Sequence, residues 1–200
     1  GYLEQVFSEY HVPFEYIRLY ETGEVRTTFW YEKGLKQDSA RWYYKTGELF
    51  RTTPYRNDTV DGIQKQFYRT GAVRARIGYS KGMRTPFIQE YHSNGKLVTG
   101  YPEIIININD QYASAGRYRL DLSLSDNSTG ERIKFYRGEF TDGRFDTTKI
   151  SPVNTVKGKA TVTLTKSNTQ GPRYISFIAE IPTPLGNRHL TGKRIDLPYN

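Results

Sequence analysis

Residues that could carry catalysis are few and scattered. His11, His92 and His189 are the only histidines and lie far apart in the chain. A zinc centre needs three or four convergent ligands, and a chain without cysteine has no thiolate to add. Asn107, Asn109 and Asp110 have the oxygen chemistry of a calcium loop, but lack its central glycine and closing glutamate. Glu21, Glu24 and Glu48 flank turn signals, where carboxylates are solvated and ordinary pKa values are expected. Neither a phosphate-binding glycine loop nor a strand-to-helix nucleophile elbow is expected. The reading is a non-catalytic chain with no cofactor and no metal.

Stacking and cation recognition are better provided for. The chain holds 17 Tyr, 10 Phe and 2 Trp. Tyr20, Tyr44 and Tyr68 recur at equal spacing, with His92 completing the series, and Trp30, Trp42 and Phe50 lie between them. Arg26, Arg74 and Arg76 are interleaved with these rings. Ring faces can stack on a sugar or a peptide, and guanidinium groups can orient acidic groups. Tyr20, Trp30, Trp42, Tyr44, Tyr68, Arg26 and Arg74 are therefore the candidate binding strip. The same pattern is also accounted for by rings that stack across strands and stiffen a thin sheet, each pair giving roughly 0.2–1 kcal/mol.

A ladder of glycines must position these residues. Gly23, Gly47, Gly71 and Gly95 stand 24 residues apart, each in a turn such as Tyr44-Lys45-Thr46-Gly47. A second ladder at the same period joins Tyr31 with Gly34, Tyr55 with Asp58 and Tyr79 with Gly82. Spacings that alternate between 11 and 13 residues leave room for one strand and one turn each, so every repeat is a β-hairpin. A three-residue loop with glycine in the left-handed region pairs Leu19 with Val25, Tyr43 with Leu49, Phe67 with Val73 and Tyr91 with Leu97. Simple alternation then places Phe29, Tyr31, Tyr55, Ile63, Ile77, Tyr79 and Phe87 with those pairs on a buried face. The candidate strip falls on the other face. Asp58 at a glycine position suggests a slightly different turn. Phe7 and Tyr10 read as part of a degenerate capping repeat.

The [Tyr/Phe]-Tyr-x-[Thr/Asn]-Gly-x-[Leu/Val] turn, alternating with Tyr-x-x-Gly, resembles the variant MORN repeat of bacterial proteins over residues 14–100. The resemblance implies a single-layer antiparallel meander that serves as a scaffold or as a lipid- or protein-binding surface. Some members are antitoxin components, so a protein that binds and blocks a toxin is the alternative expectation. Leu19, His92 and Asp58 depart from the pattern, and the family has no active site to carry over.

The texture changes at Tyr101-Pro102, which divides a repeat domain (1–101) from a second domain (102–200). Strands are expected at 104–109, 117–125, 131–140, 145–150, 159–166, 173–181 and 189–197, separated by Asn, Asp, Gly and Pro turns. Seven strands in that length read as a β-sandwich of immunoglobulin-like size, without that family's disulfide or core tryptophan. The segment from Tyr136 to Phe145 resembles one MORN unit and is read as an isolated hairpin inside the sandwich. The fold class is thus all-β: a tyrosine-rich hairpin meander followed by a sandwich.

Mean hydropathy is −0.71 and the net charge is +8, which comes to +4 in each half (15 − 11 before residue 102, 14 − 10 after). Without a basic run or tail, no nucleic-acid partner is expected; a protein or glycan partner is, and peripheral membrane contact stays open. A start at Gly1 with Met83 as the sole methionine is expected of a trimmed chain, exported to the periplasm or outer surface, with a lipid anchor before trimming and a cytoplasmic site both left open.

Overall fold

The computed structural model describes residues 12–165 and 174–197. Phe7, Tyr10 and His11 lie outside the described residues. The chain forms two compact units that divide between Thr99 and Gly100.

The first unit is one antiparallel sheet. Its strands are β1 (Phe14–Leu19), β2 (Val25–Glu32), β3 (Leu35–Tyr43), β4 (Leu49–Arg56), β5 (Thr59–Val60), β6 (Gly62–Phe67), β7 (Val73–Ser80) and β8 (Met83–Glu90). The order is β1-β2-β3-β4-β6-β7-β8, with the short β5 paired to β4, so the sheet is a meander. Three like turns join alternate strands, and a fourth follows β8. In the second, the Tyr44 N–H donates to the Glu48 carbonyl at 2.8 Å and the Gly47 N–H to the Tyr44 carbonyl at 2.9 Å. Gly47 has φ +97°, a conformation that costs glycine little and a side chain more. The intervening turns are two-residue loops with both central residues at positive φ: Lys33-Gly34, Asn57-Asp58 and Lys81-Gly82. Asp58 thus makes the same turn as its repeat mates, not a different one. Its Oδ1 accepts the Lys36 N–H at 2.8 Å, and its own N–H donates to the Lys36 carbonyl at 3.0 Å.

The four turn pairs stand as the three-residue loop requires: Leu19–Val25, Tyr43–Leu49, Phe67–Val73 and Tyr91–Leu97. Their face does not follow simple alternation. Arg18 opposes Thr27 whereas Leu19 opposes Val25, which leaves Arg26 as an extra residue. Phe50 and Arg74 are the extra residues of the next two hairpins. Each such β-bulge turns the pair beside the turn to the face opposite the rest of its strand. The expected buried set is therefore split. Phe29, Tyr31, Tyr55, Ile77 and Tyr79 share a closed face with the buried Thr27, Ala40, Thr53, Gln64, Ala75 and Glu90. The turn pairs, Ile63 and Phe87 occupy the other, open face, where Leu19 is 55 % exposed and Leu97 41 %.

The second unit is a β-sandwich. Its elements are β9 (Ile104–Gln111), α1 (Tyr112–Ala115), β10 (Arg117–Leu124), β11 (Lys134–Arg137), β12 (Ser151–Val153), β13 (Thr155–Val156), β14 (Lys159–Thr165), β15 (Tyr174–Pro182) and β16 (Arg188–Asp196). They form two four-stranded sheets, β13-β14-β10-β9 and β12-β11-β15-β16. Alternation puts Leu120, Leu122 and Leu124 of one sheet against Phe135, Phe177, Ala179 and Ile181 of the other, and these fill the core. Two expected strands differ. The one at 131–140 shrinks to β11, and 145–150 is a turn in which Asp146 accepts the Thr148 N–H at 3.0 Å and the Lys149 N–H at 3.1 Å. Local side-chain bonding there outcompetes the ladder. Between them the Asp142-Gly143 turn closes on the Thr141–Arg144 bridge, with Tyr136 edge-on to Phe145 at 5.3 Å.

Candidate binding surface

Each tyrosine of the turn ladder is tied to the next repeat. Because Tyr44 and Glu48 are hydrogen-bonded across their turn, the adjacent Tyr43–Leu49 pair is a non-bonded one, and the Tyr43 carbonyl points out of its hairpin. The Tyr20 hydroxyl donates to it at 2.8 Å. Tyr44 donates likewise to the Phe67 carbonyl at 3.2 Å, and Tyr68 to that of Tyr91 at 2.7 Å. His92 holds the fourth turn position and has no hydroxyl to pass the series on.

The bulge residue covers each ring. Arg26 lies over Tyr20 at 5.7 Å, Phe50 packs on Tyr44 at 5.4 Å and Arg74 lies over Tyr68 at 5.9 Å. The extra residue thus re-aims a side chain onto the ring that bridges to the next hairpin. Tyr20, Tyr44 and Tyr68 are half-buried. Trp42 is also half-buried, edge-on to Phe29 at 5.7 Å and capped by the Arg51 guanidinium at 4.0 Å. Burial lowers the pKa of Arg51 and raises that of Tyr55, and each charge partly offsets the other's shift.

Six members of the candidate strip therefore stand on the closed side of the sheet. Trp30 does not join them. It pairs with Glu15 and Gln37 on the open face and is 40 % exposed. Among the described residues, every exposed large hydrophobic on the strands of this sheet lies on that same face: Ile17, Leu19, Val25, Trp30, Leu35 and Phe87. Along its turn edge the open face carries the four apolar pairs as a stripe. Beside the stripe runs a polar row, in which Thr28, Arg41, Thr52, Lys65, Arg76 and Gln89 oppose one another from β2 to β8. Arg41 and Lys65 are exposed, with no carboxylate partner among the described residues.

Arg41 and Lys65 were not singled out by the sequence reading. The signal was present: Arg41, Lys65 and Gln89 recur every 24 residues, as do Thr28, Thr52 and Arg76. Only the bulge count shows that the two series share a face.

The chemistry-bearing groups elsewhere stay apart. Among the described residues no group of three His, Asp or Glu is placed to hold a metal. His189 stacks on Tyr101 at 4.8 Å, and Asp110 accepts the Tyr112 N–H at 2.8 Å at the start of α1. Gly78-Tyr79-Ser80-Lys81-Gly82 matches the letters of a nucleophile elbow, but Ser80 pairs with Met83 across a hairpin turn instead of opening a helix. A cleft of about 260 Å³ in the sandwich is lined by Glu139, Ser176 and Arg194 without a histidine, so Ser176 has no imidazole base beside it. Glu24 and Glu48 depart from the ordinary pKa values expected of them: hydrogen bonds from the Thr22 and Thr46 hydroxyls hold their carboxyls below the usual range.

No family model, curated protein or solved structure matches the chain. The functional reading therefore rests on the geometry of the sheet.

Proposed function

We propose that this chain is a non-catalytic binding or scaffold protein that recognises another protein through the open face of its repeat sheet. One observation carries the proposal: the exposed large hydrophobics on the strands of the sheet share a single face. Apolar side chains gathered on one side, with polar groups along them, are the composition of a protein-binding patch. A protein partner is favoured over a glycan because the exposed ends of the stripe are aliphatic. Leu19, Val25 and Leu97 offer a sugar neither a ring face nor a hydrogen bond. The tyrosine ladder has a different task, since its hydroxyls join hairpin to hairpin and hold the surface in shape.

Photo-cross-linking in the source cells tests this reading. Trp30 and Tyr31 are consecutive and point to opposite faces. A benzophenone side chain at position 30 is expected to trap a discrete protein adduct, and one at position 31 is not. Equal adducts from both positions, or none from either, would reject the proposal.

A further inference from the structure

The polar row and the apolar stripe together specify the chemistry of the partner. On β3 and on β6 the cation stands two residues from the stripe, Arg41 before Tyr43 and Lys65 before Phe67, which is about 7 Å along the strand. Across the strands, Lys65 and Arg76 are neighbours about 5 Å apart, and Arg41 lies two strands from Lys65, about 10 Å. The Arg76 guanidinium bonds the Gln89 side chain at 3.2 Å and lies over the Phe87 ring at 6.0 Å. The row therefore has three cations, no acidic residue and a threonine at every other position from β2 to β4.

We infer that the open face binds an amphipathic α-helix with an acidic edge, laid across the strands with its apolar side on the stripe. The inference rests on the reading of this face as a protein-binding surface. Spacing decides for a helix over an extended segment. Carboxylates on successive helical turns recur at about 5.4 Å and, two turns on, at about 10.8 Å. Those steps match the cation separations. Alternate residues of a strand recur at about 6.8 Å and fall out of step. Sign decides for acid, since Arg41 and Lys65 have no carboxylate of this chain to pair with among the described residues. The six strands of the row span about 24 Å, the length of a helix of about 16 residues.

Two synthetic helical peptides of about that length test the inference. Both carry leucine at the a and d positions of each heptad; one is flanked by glutamate and the other by lysine. Anisotropy titrations are expected to show binding of the glutamate peptide, weakening as salt is raised, and no binding of the lysine peptide. Arg41→Glu with Lys65→Glu is expected to weaken binding by about tenfold or more, whereas Arg18→Glu on the closed face leaves it unchanged. Equal binding of both peptides, failure of the glutamate peptide, or equal loss in the Arg18 variant would overturn the inference. So would a two-chain mass in solution that the same open-face variants abolish, because the occupant would then be a second copy. These results are separable from the broader reading. An adduct from position 30 to a non-acidic surface sinks the helix and leaves protein binding standing, while the absence of any adduct sinks both.

Discussion

The hydroxyl of Tyr20 donates to the carbonyl oxygen of Tyr43 at 2.8 Å, one full repeat along the chain. The same link recurs from Tyr44 to Phe67 and from Tyr68 to Tyr91. It satisfies a carbonyl that the hairpin itself leaves outward-facing, and it fastens each hairpin to the next. A thin sheet with little apolar thickness depends on such edge contacts, because backbone polar groups left without partners are costly.

Tyr68→Phe keeps the ring under Arg74 and removes only the donor. Urea unfolding should show a loss of about 1 kcal/mol, with Tyr20→Phe similar and Tyr44→Phe, whose bond is 3.2 Å, smaller. No loss at any of the three positions would mean that water replaces the link.

Gly78→Ala is expected to cost more. A Cβ there would come within 2.2 Å of the Thr85 Oγ1 and 3.0 Å of the Phe87 Cβ. Overpacking of this kind costs about 1–3 kcal/mol. Adding Thr85→Ala should recover part of the loss in the same denaturation measurement. An additive double variant would contradict the packing reading.

Acid should loosen the turns. The Thr46 hydroxyl is the largest cause lowering the Glu48 pKa, and Thr22 acts likewise on Glu24. A carboxyl lowered in the folded state contributes stability that is present above its ordinary value of 4.5 and is lost as pH falls through the folded value. Carbon-detected NMR titration should find both carboxyls titrating below that value. Thr46→Ala should return Glu48 alone towards it.

Much of the fold is legible in the chain because turn chemistry is local. Gly47 and its mates mark left-handed positions, and the pairs Leu19–Val25 through Tyr91–Leu97 follow from loop length. The strands built on Leu120-Asp121-Leu122 and Ile175–Ile181 announce themselves by alternation. What alternation misses is one residue in each of three hairpins. Arg26, Phe50 and Arg74 look like ordinary strand residues, and only the two-sided register shows them as bulges. That single count reverses the face of the stripe and separates Trp30 from Trp42. It also brings Arg41 and Lys65 into the surface that carries the proposed function. Asp58 misled for a related reason: the Lys36 N–H that its side chain accepts comes from the neighbouring strand β3.

The assignment of faces underlies everything proposed for this protein, and the absence of native cysteine makes it directly measurable. Ala40 is 1 % exposed on the closed face, and its neighbour Arg41 is exposed on the open one. Single variants Ala40→Cys and Arg41→Cys can be reacted with a maleimide under native conditions and compared with the unfolded chain. The Arg41→Cys variant is expected to label at close to the unfolded rate and the Ala40→Cys variant to be strongly protected. Equal labelling, or protection of the Arg41→Cys variant alone, would contradict the assignment of faces.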